Sequence, residues 1–434
     1  MENGAKQPSV VVIGLGYVGL PIALLADRKG FDTVGIDIDV EKVRLIQEGI
    51  SPFEDSEITN QLKKTTLKAS TEFHDVANAD ITVVCVPTPV HEDHTPNLKP
   101  LMGACSAIAP YIQKGSLVII ESTINPGVCD TTVIPLLEKE SGLRVGEDFS
   151  LAHCPERINP GDSKWHVANI NRVVGGFDKK STKTAGDFYR SILDAEIKEM
   201  DSIQEAEAVK VVENAFRDVN IAFVNELSMS FAKLGIDVVN VINGAASKPF
   251  AFMPHYPGCG VGGHCIPVDP YYLIDYAKKN GFQHKFLSLA RSINSNMPHY
   301  TVDIVENALA KKNVSLKVSR VAVLGVAYKS NIGDHRESPS FEIISDLESR
   351  GAEVIIFDPF VPSKSTVETL EEAMINVDAV VIATAHDQFK TLSPEYFMKH
   401  KVRVVIDGRN CLERDAFSDT EVEYWGIGRQ HKVA

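Results

Sequence analysis

Cysteine is scarce and falls in no paired pattern. The seven residues, at 85, 105, 129, 154, 259, 265 and 411, are odd in number and include no CxxC. That spacing excludes a disulfide framework and implies a reducing compartment. Positive charge is also short, since 44 Lys and Arg against 58 Asp and Glu leave a net charge of −14. An electrostatic footprint for a nucleic-acid backbone is therefore not expected, and any phosphate must be held locally. The uncharged stretch 10–26 holds three glycines and a proline and is short for a membrane span. The polar, acidic start Met-Glu-Asn-Gly lacks the basic and apolar regions of a signal peptide. These absences point to a soluble cytoplasmic protein with neither membrane nor nucleic acid as partner. What remains is a globular composition, 44% hydrophobic and 24% charged over 434 residues, enough for two or three domains.

Short β-branched runs alternate with helix-length segments, the grammar of a parallel sheet wrapped by crossovers. Candidate strands are 9–14, 33–37, 81–86, 116–123 and 172–176, with apolar runs at their centres as strands covered on both faces should have. The grammar returns at 320–325, 353–358, 379–384 and 402–407, again with a first strand ending in glycine and a second ending in aspartate. Between them, 201–310 has no convincing strand. There Val212, Ala215, Phe216, Val219, Ala222 and Phe223 follow the spacing of a buried helical face. The expected fold class is α/β: two Rossmann-like, doubly wound domains (1–200 and 311–434) joined by a long central helix in a helical middle domain (201–310). An apolar connector of this kind suits the interface of a homodimer or higher homo-oligomer, and equally suits packing on its own domains alone.

Gly14-Leu-Gly16-Tyr17-Val18-Gly19 follows the first strand and opens a helix, and Asp37 ends the second strand. Glycines there allow a tight turn and close approach of backbone to a pyrophosphate at a helix N-terminus. The carboxylate accepts from both ribose hydroxyls and repels a 2′-phosphate, so the expected cofactor is NAD. The first-domain strands end in Val86-Pro-Thr88, Glu-Ser-Thr123-Ile-Asn-Pro-Gly and His153-Cys-Pro-Glu156-Arg157-Ile158, hydroxyls and charges in the loops where sites in such folds collect. His91 and His94 in a charged loop read as solvated, and no metal is assigned.

The loop Gly258-Cys259-Gly-Val-Gly262-Gly-His264-Cys265-Ile-Pro-Val268-Asp269 delivers a thiol on glycines, with a carboxylate four residues on. Cys265 is the candidate nucleophile, Cys259 its rival within the loop, and His264 a secondary candidate base. On the central helix Lys210, Asn214 and Arg217 make a polar stripe, either solvated or turned to a substrate. In the last domain Tyr328-Lys329, Arg336 and Arg409 set positive charge near strand ends, as a second nucleotide diphosphate needs.

With these residues in view the chain resembles the nucleotide-sugar 6-dehydrogenases, the UDP-glucose and UDP-N-acetylhexosamine superfamily. The likeness runs through ESTINPG, CPERINPG, EAVKVVENAFRDVNIAFVNE, GVGGHCIPVDP and GVAYK…HRESPS. It implies an NAD domain, a dimerising central helix and a UDP-sugar-binding C-terminal domain. By motif position Cys265 is the expected nucleophile, Lys210 the proton-transfer and oxyanion residue, and Asn214 its partner in holding the sugar. Glu156 matches the carboxylate that assists thioester hydrolysis, and Asp269 and Thr123 match a pair positioning water. Thr88 and Thr123 fall at the cofactor, as does Arg336. Arg157, Ile158, Arg217, Lys248, Gly262, Tyr328, Lys329 and Arg409 fall where the family meets the UDP-sugar. UDP-glucose members carry a small residue before the cysteine and a lysine before the aspartate, where this chain has His264 and Val268. The segment from Lys248 to Gly258 is similar to UDP-N-acetylglucosamine members, whereas mannosamine members tend to carry an arginine near Phe250. The favoured substrate is UDP-N-acetylglucosamine, then its galactosamine and mannosamine epimers and UDP-glucose. A one-step NAD dehydrogenase of the 6-phosphogluconate kind and a non-catalytic NAD-binding regulator are the rival readings.

Overall fold

The computed structural model describes residues 8–53, 56–91, 95–157, 164–263 and 265–430. The chain divides into two compact units, Met1–Glu213 with Tyr271–Phe282, and Asn214–Pro270 with Gln283–Ala434.

The first unit is built on β1 (Ser9–Ile13), β2 (Asp32–Ile36), β3 (Lys68–Ser70), β4 (Ile81–Val84), β5 (Leu117–Ile120), β6 (Ser150–His153), β7 (Arg172–Gly176) and β8 (Ile197–Glu199). Their order in the sheet is β3-β2-β1-β4-β5-β6-β7-β8. All neighbours are parallel except β6 and β7. Val10 and Val12 pack into one core with the helix Gly19–Arg28, while Val11 and Ile13 face a second core on the other side. Helices cover both faces, which is why these strands are apolar throughout. The edge strands β3 and β8 read Lys-Ala-Ser and Ile-Lys-Glu, too short and polar to stand out by periodicity.

The second unit repeats the plan with β9 (Arg320–Leu324), β10 (Glu353–Phe357), β11 (Ala379–Ile382), β12 (Val404–Asp407), β13 (Glu423–Gly426) and β14 (Arg429–Gln430), ordered β10-β9-β11-β12-β13-β14. In each sheet the direction of winding reverses beside the first strand, between β1 and β4 and between β9 and β11. Ligands of such sheets gather outside the carboxyl ends at that point. Both units are thus doubly wound α/β, as the repeated strand pattern predicts.

Across 201–310 the described residues hold the helices Ile203–Leu234, Val238–Ala246, Asp269–Lys279 and Lys285–Lys311, and no strand. The face of the long helix differs from expectation. Ala215 and Ala222 are buried, but Val212, Phe216 and Phe223 are about half exposed. Besides the buried Val211, Ala215, Ala222 and Val224, the helix buries a polar stripe of Asn214, Asp218, Asn225 and Ser228. In the second unit this stripe meets donors and acceptors of its own kind. Arg291 Nη1 donates to Asp218 Oδ1 (2.6 Å), Asn294 Nδ2 donates to the same oxygen (2.8 Å), and Asn225 Nδ2 donates to Asn294 Oδ1 (2.8 Å). Buried polar groups keep their place only when paired in this way. The large apolar residues are turned outward, where Phe216 and Phe223 line a groove of about 540 Å³ with Phe250 and Met253.

One fully buried ion pair braces the first sheet. Arg172 Nη1 lies 3.3 Å from Glu121 Oε1, which also accepts from the Tyr189 hydroxyl at 2.7 Å. Replacing one partner of a buried pair strands the other charge, at a cost of about 3–5 kcal/mol. Arg172→Leu should lower the urea-unfolding stability of the intact protein by that amount, and a loss below about 1 kcal/mol would show that the pair does not brace the sheet.

Candidate active site

In the first unit the glycine turn is made by sterics and one carboxylate. Gly14 turns with φ +91°, and a Cβ there would lie 2.7 Å from Cys85 O. A Cβ on Gly19 would lie 1.9 Å from Gly14 O. On Gly16, by contrast, a Cβ would meet nothing within 4 Å, so that position leaves open the backbone at the head of the helix Gly19–Arg28. Asp37 holds the turn from the next strand, accepting from Leu15 N at 2.8 Å. It also accepts from Asp39 N (3.0 Å) and Lys42 Nζ (2.7 Å). Burial raises its pKa, but the Lys42 ammonium and the two amides outweigh that and leave it below the usual carboxylate value. An ionised acceptor beside an open, glycine-lined helix start fits a dinucleotide. Tyr17 stacks on Phe53 at 4.2 Å, and Lys42, five residues past Asp37, has no periodic or motif signal in the sequence.

The loops after β4, β5 and β6 lie side by side because their strands do. Thr88 Oγ1 donates to Thr123 O (2.6 Å), joining two of the candidate residues, and the Tyr272 hydroxyl donates to Thr88 O. Glu156 and Lys210 are nearly buried and meet with Nζ 3.6 Å from Oε2. Burial raises the Glu156 pKa, offset in part by the Lys210 and Arg172 charges. His153, three residues earlier, is fully buried, and burial together with the Lys210 charge lowers its pKa to about 3, so its ring is neutral. Arg157 is engaged bidentately by Glu213 and donates to Asn171 O (3.0 Å). Ile158 lies outside the described residues, as do His94 and His264.

In the second unit the two loop cysteines separate clearly. Cys259 is fully buried, with its Sγ 3.4 Å from Ala383 O, and burial raises its pKa. Cys265 is half-buried. Its carbonyl accepts from Val268 N (3.1 Å) and Asp269 N (2.8 Å), forming the turn that starts the helix Asp269–Lys279. Asn214 Nδ2 donates to Asp269 Oδ2 at 2.6 Å, so the amide of the long helix fixes the carboxylate four residues after the thiol. Asn225, which sequence reasoning missed, accepts the Gly258 amide at 3.0 Å and anchors the start of the loop.

The remaining candidates of this unit divide. Tyr328 lies against the glycine loop, where a Cβ on Gly262 or Gly263 would come within 2.9 or 2.8 Å of it. Arg409 spends Nε on Ala383 O (2.7 Å) and Nη1 on Gly260 O (3.3 Å), pinning the loop to the ends of β11 and β12. Arg336 is held by Asp334, while Arg217 and Lys248 are exposed, the latter with Nζ 4.5 Å from the Phe250 ring centre.

Three family models match successive parts of the chain. They are the NAD binding domain of the UDP-glucose/GDP-mannose dehydrogenase family over residues 8–193, its central domain over 204–296 and its UDP binding domain over 322–414. The chain is similar to the UDP-N-acetyl-D-mannosamine dehydrogenase of Pyrococcus horikoshii, at 38% identity over 97% of this chain and 99% of that one. It is similar to the UDP-N-acetyl-D-glucosamine 6-dehydrogenase of Pseudomonas aeruginosa, at 35% identity over 94% and 98%. The solved structure of the P. horikoshii UDP-D-ManNAc dehydrogenase superposes with a TM-score of 0.91 at 36% identity, covering 97% of this chain and 99% of that one.

Gly19→Ala forces a methyl onto Gly14 O and should weaken NAD binding by at least about fivefold, since overpacking costs about 1–3 kcal/mol. Calorimetric titration with NAD checks this, and an unchanged dissociation constant would disprove the close packing of the turn.

Proposed function

The chain belongs to the UDP-glucose/GDP-mannose dehydrogenase family, and from that premise we propose that it oxidises the C6 hydroxyl of UDP-N-acetylglucosamine to a carboxylate through a covalent adduct on Cys265. It is an NAD-dependent nucleotide-sugar oxidoreductase of the UDP-N-acetylhexosamine 6-dehydrogenase family. The observation that carries the covalent reading is the difference between the two loop thiols. Cys259 is sealed among backbone groups, whereas Cys265 is half-buried at the head of a turn whose carboxylate is fixed by Asn214.

Oxidising a primary alcohol to an acid removes two hydrides and adds the oxygen of one water. NAD supplies the hydride acceptor for both removals. In the first, the C6 hydroxyl gives up its proton toward Lys210, whose ammonium then steadies the oxygen as charge develops on it. The Cys265 sulfur adds to the C6 aldehyde, which keeps that reactive carbon bound while the second hydride leaves from the resulting thiohemiacetal. Water then attacks the thioester carbon, the C–S bond breaks, and the sulfur leaves as thiolate. Glu156, its pKa raised by burial, is suited to take the water's proton, with Thr123 and Asp269 orienting that water and Asn214 holding the sugar. Arg157, Arg217, Lys248, Gly262, Tyr328, Lys329 and Arg409 are proposed to contact the UDP-sugar, and Thr88 and Arg336 the cofactor.

The N-acetylglucosamine assignment is supported by the segment from Lys248 to Gly258, which carries no arginine. The half-exposed Val212, Phe216 and Phe223 support a homodimer formed on the long helix.

Incubation with limiting UDP-N-acetylglucosamine should release two NADH per sugar, faster than with the mannosamine or galactosamine epimers or UDP-glucose. Cys265→Ala should lower turnover on the order of a thousandfold or more. One NADH per sugar with turnover retained in Cys265→Ala would instead favour the one-step dehydrogenase.

A further inference from the structure

The glycine turn of the second unit copies that of the first and then departs from it. Gly325 turns with φ +90° and donates to Phe357 O (2.9 Å), as Gly14 with φ +91° donates to Ile36 O (2.7 Å). Asp358 stands where Asp37 does, at the end of the second strand of its sheet, and accepts from Val326 N (2.6 Å) and Ala327 N (2.8 Å). The two carboxylates differ in what meets their other side. Asp37 faces Lys42, a flexible ammonium whose side chain is 27% exposed. Asp358 faces His386 Nε2 at 3.1 Å, and both side chains are 0% exposed.

The tautomer of His386 follows from its neighbours. Nδ1 lies 2.8 Å from the Asn331 amide and must accept from it, so the ring proton sits on Nε2, aimed at the carboxylate. The second oxygen of Asp358 accepts from Phe360 N (2.8 Å) and Val361 N (3.2 Å). No ribose hydroxyl has a path to this aspartate. Thr384 closes the turn from the next strand. Its Oγ1 donates to Ala327 O (2.6 Å), and a Cβ on Gly325 would lie 2.4 Å from its Cβ.

These bonds together hold the segment 326–331 at both ends, with Tyr328 and Lys329 in the middle. Tyr328 in turn abuts Gly262 and Gly263, three and two residues before Cys265. We propose that His386 is a positioning residue: on Asp358 it takes the place that ribose hydroxyls take on a dinucleotide-binding aspartate, and so turns a second dinucleotide-type turn into a rigid support that presents Tyr328 and Lys329 to the uridine diphosphate of the substrate. The second unit therefore holds no NAD. This rests on the assignment of Tyr328 and Lys329 to the substrate made above.

The test is separate calorimetric titration of the intact protein with UDP and with NAD, for wild type, His386→Ala, His386→Gln and Thr384→Val. A glutamine amide reaches the place of Nε2 and donates to Asp358, so it is the conservative variant. His386→Ala should weaken UDP about tenfold and His386→Gln about threefold or less, with NAD affinity unchanged and one NAD bound per chain. Thr384→Val removes a staple from the opposite side with little change of volume and should weaken UDP about threefold, which keeps the test open should His386→Ala not fold. Equal UDP affinity in all four proteins would overturn the positioning role. Equal weakening of UDP and NAD in His386→Ala and His386→Gln alike would mark His386 as merely structural and overturn it too. Two NAD per chain would overturn the sealed turn. A wild type that does not bind UDP would sink the substrate assignment itself, an outcome distinct from the others.

Discussion

A carboxylate at the end of one strand accepting the amide just past a glycine on its neighbour recurs at Asp37 and Asp358, and much else in the molecule is arranged around that contact. The glycine turns the chain where no other residue fits, and the freed amide needs an acceptor because it lies inside the protein. Once the turn is set, the following helix starts at a defined place. Parallel neighbours then put the remaining loops at the same sheet edge. Thr88, Thr123 and Glu156 follow β4, β5 and β6 in the first unit, and Thr384 and Arg409 follow β11 and β12 in the second. The two units spend the same carboxylate differently. One leaves it beside a partly exposed lysine, and the other buries it under a histidine.

Buried polar contacts are the second organising feature. The long helix turns Asn214, Asp218, Asn225 and Ser228 inward beside its buried apolar residues, and two of these, Asn214 and Asn225, hold candidate site segments. Asn214 holds Asp269, and Asn225 holds Gly258 at the head of the thiol loop. Asp218 and Arg291 form a buried ion pair between them. Such pairs contribute little net stability because desolvation offsets attraction. Their value here lies in fixed geometry, since a misplaced partner would leave a charge without solvent.

The fold was legible in the sequence wherever a strand was long, apolar and central. The candidate strand ranges left out β6, central but only four residues long, and β3, β8, β13 and β14, which are short edge or near-edge strands with polar positions. The apolar spacing of the long helix was also visible, yet Phe216 and Phe223 face outward. Periodicity reports that a helix has an apolar side and is silent on whether that side meets its own unit. Among candidate site residues, motif position marked Cys265, Glu156 and Lys210. Lys42, Arg172, Asn225 and His386 went unmarked because each acts through a partner distant in the chain or through a lone contact, and no local pattern records that.

By itself the amino-acid order determined the element types, the glycine turns and the nucleotide character of both sheets, because strand and turn preferences are set by side chains a few residues apart. Motif position favoured Cys265, but loop composition alone left Cys259, on the same glycine-rich loop, as its rival. The difference between their surroundings belongs to tertiary structure. Ala383, 124 residues from Cys259, closes over its sulfur, while the turn to Asp269 leaves the Cys265 thiol half-buried. The ionisation and reach of a thiol are properties of its surroundings, and those surroundings come from parts of the chain that only folding brings together.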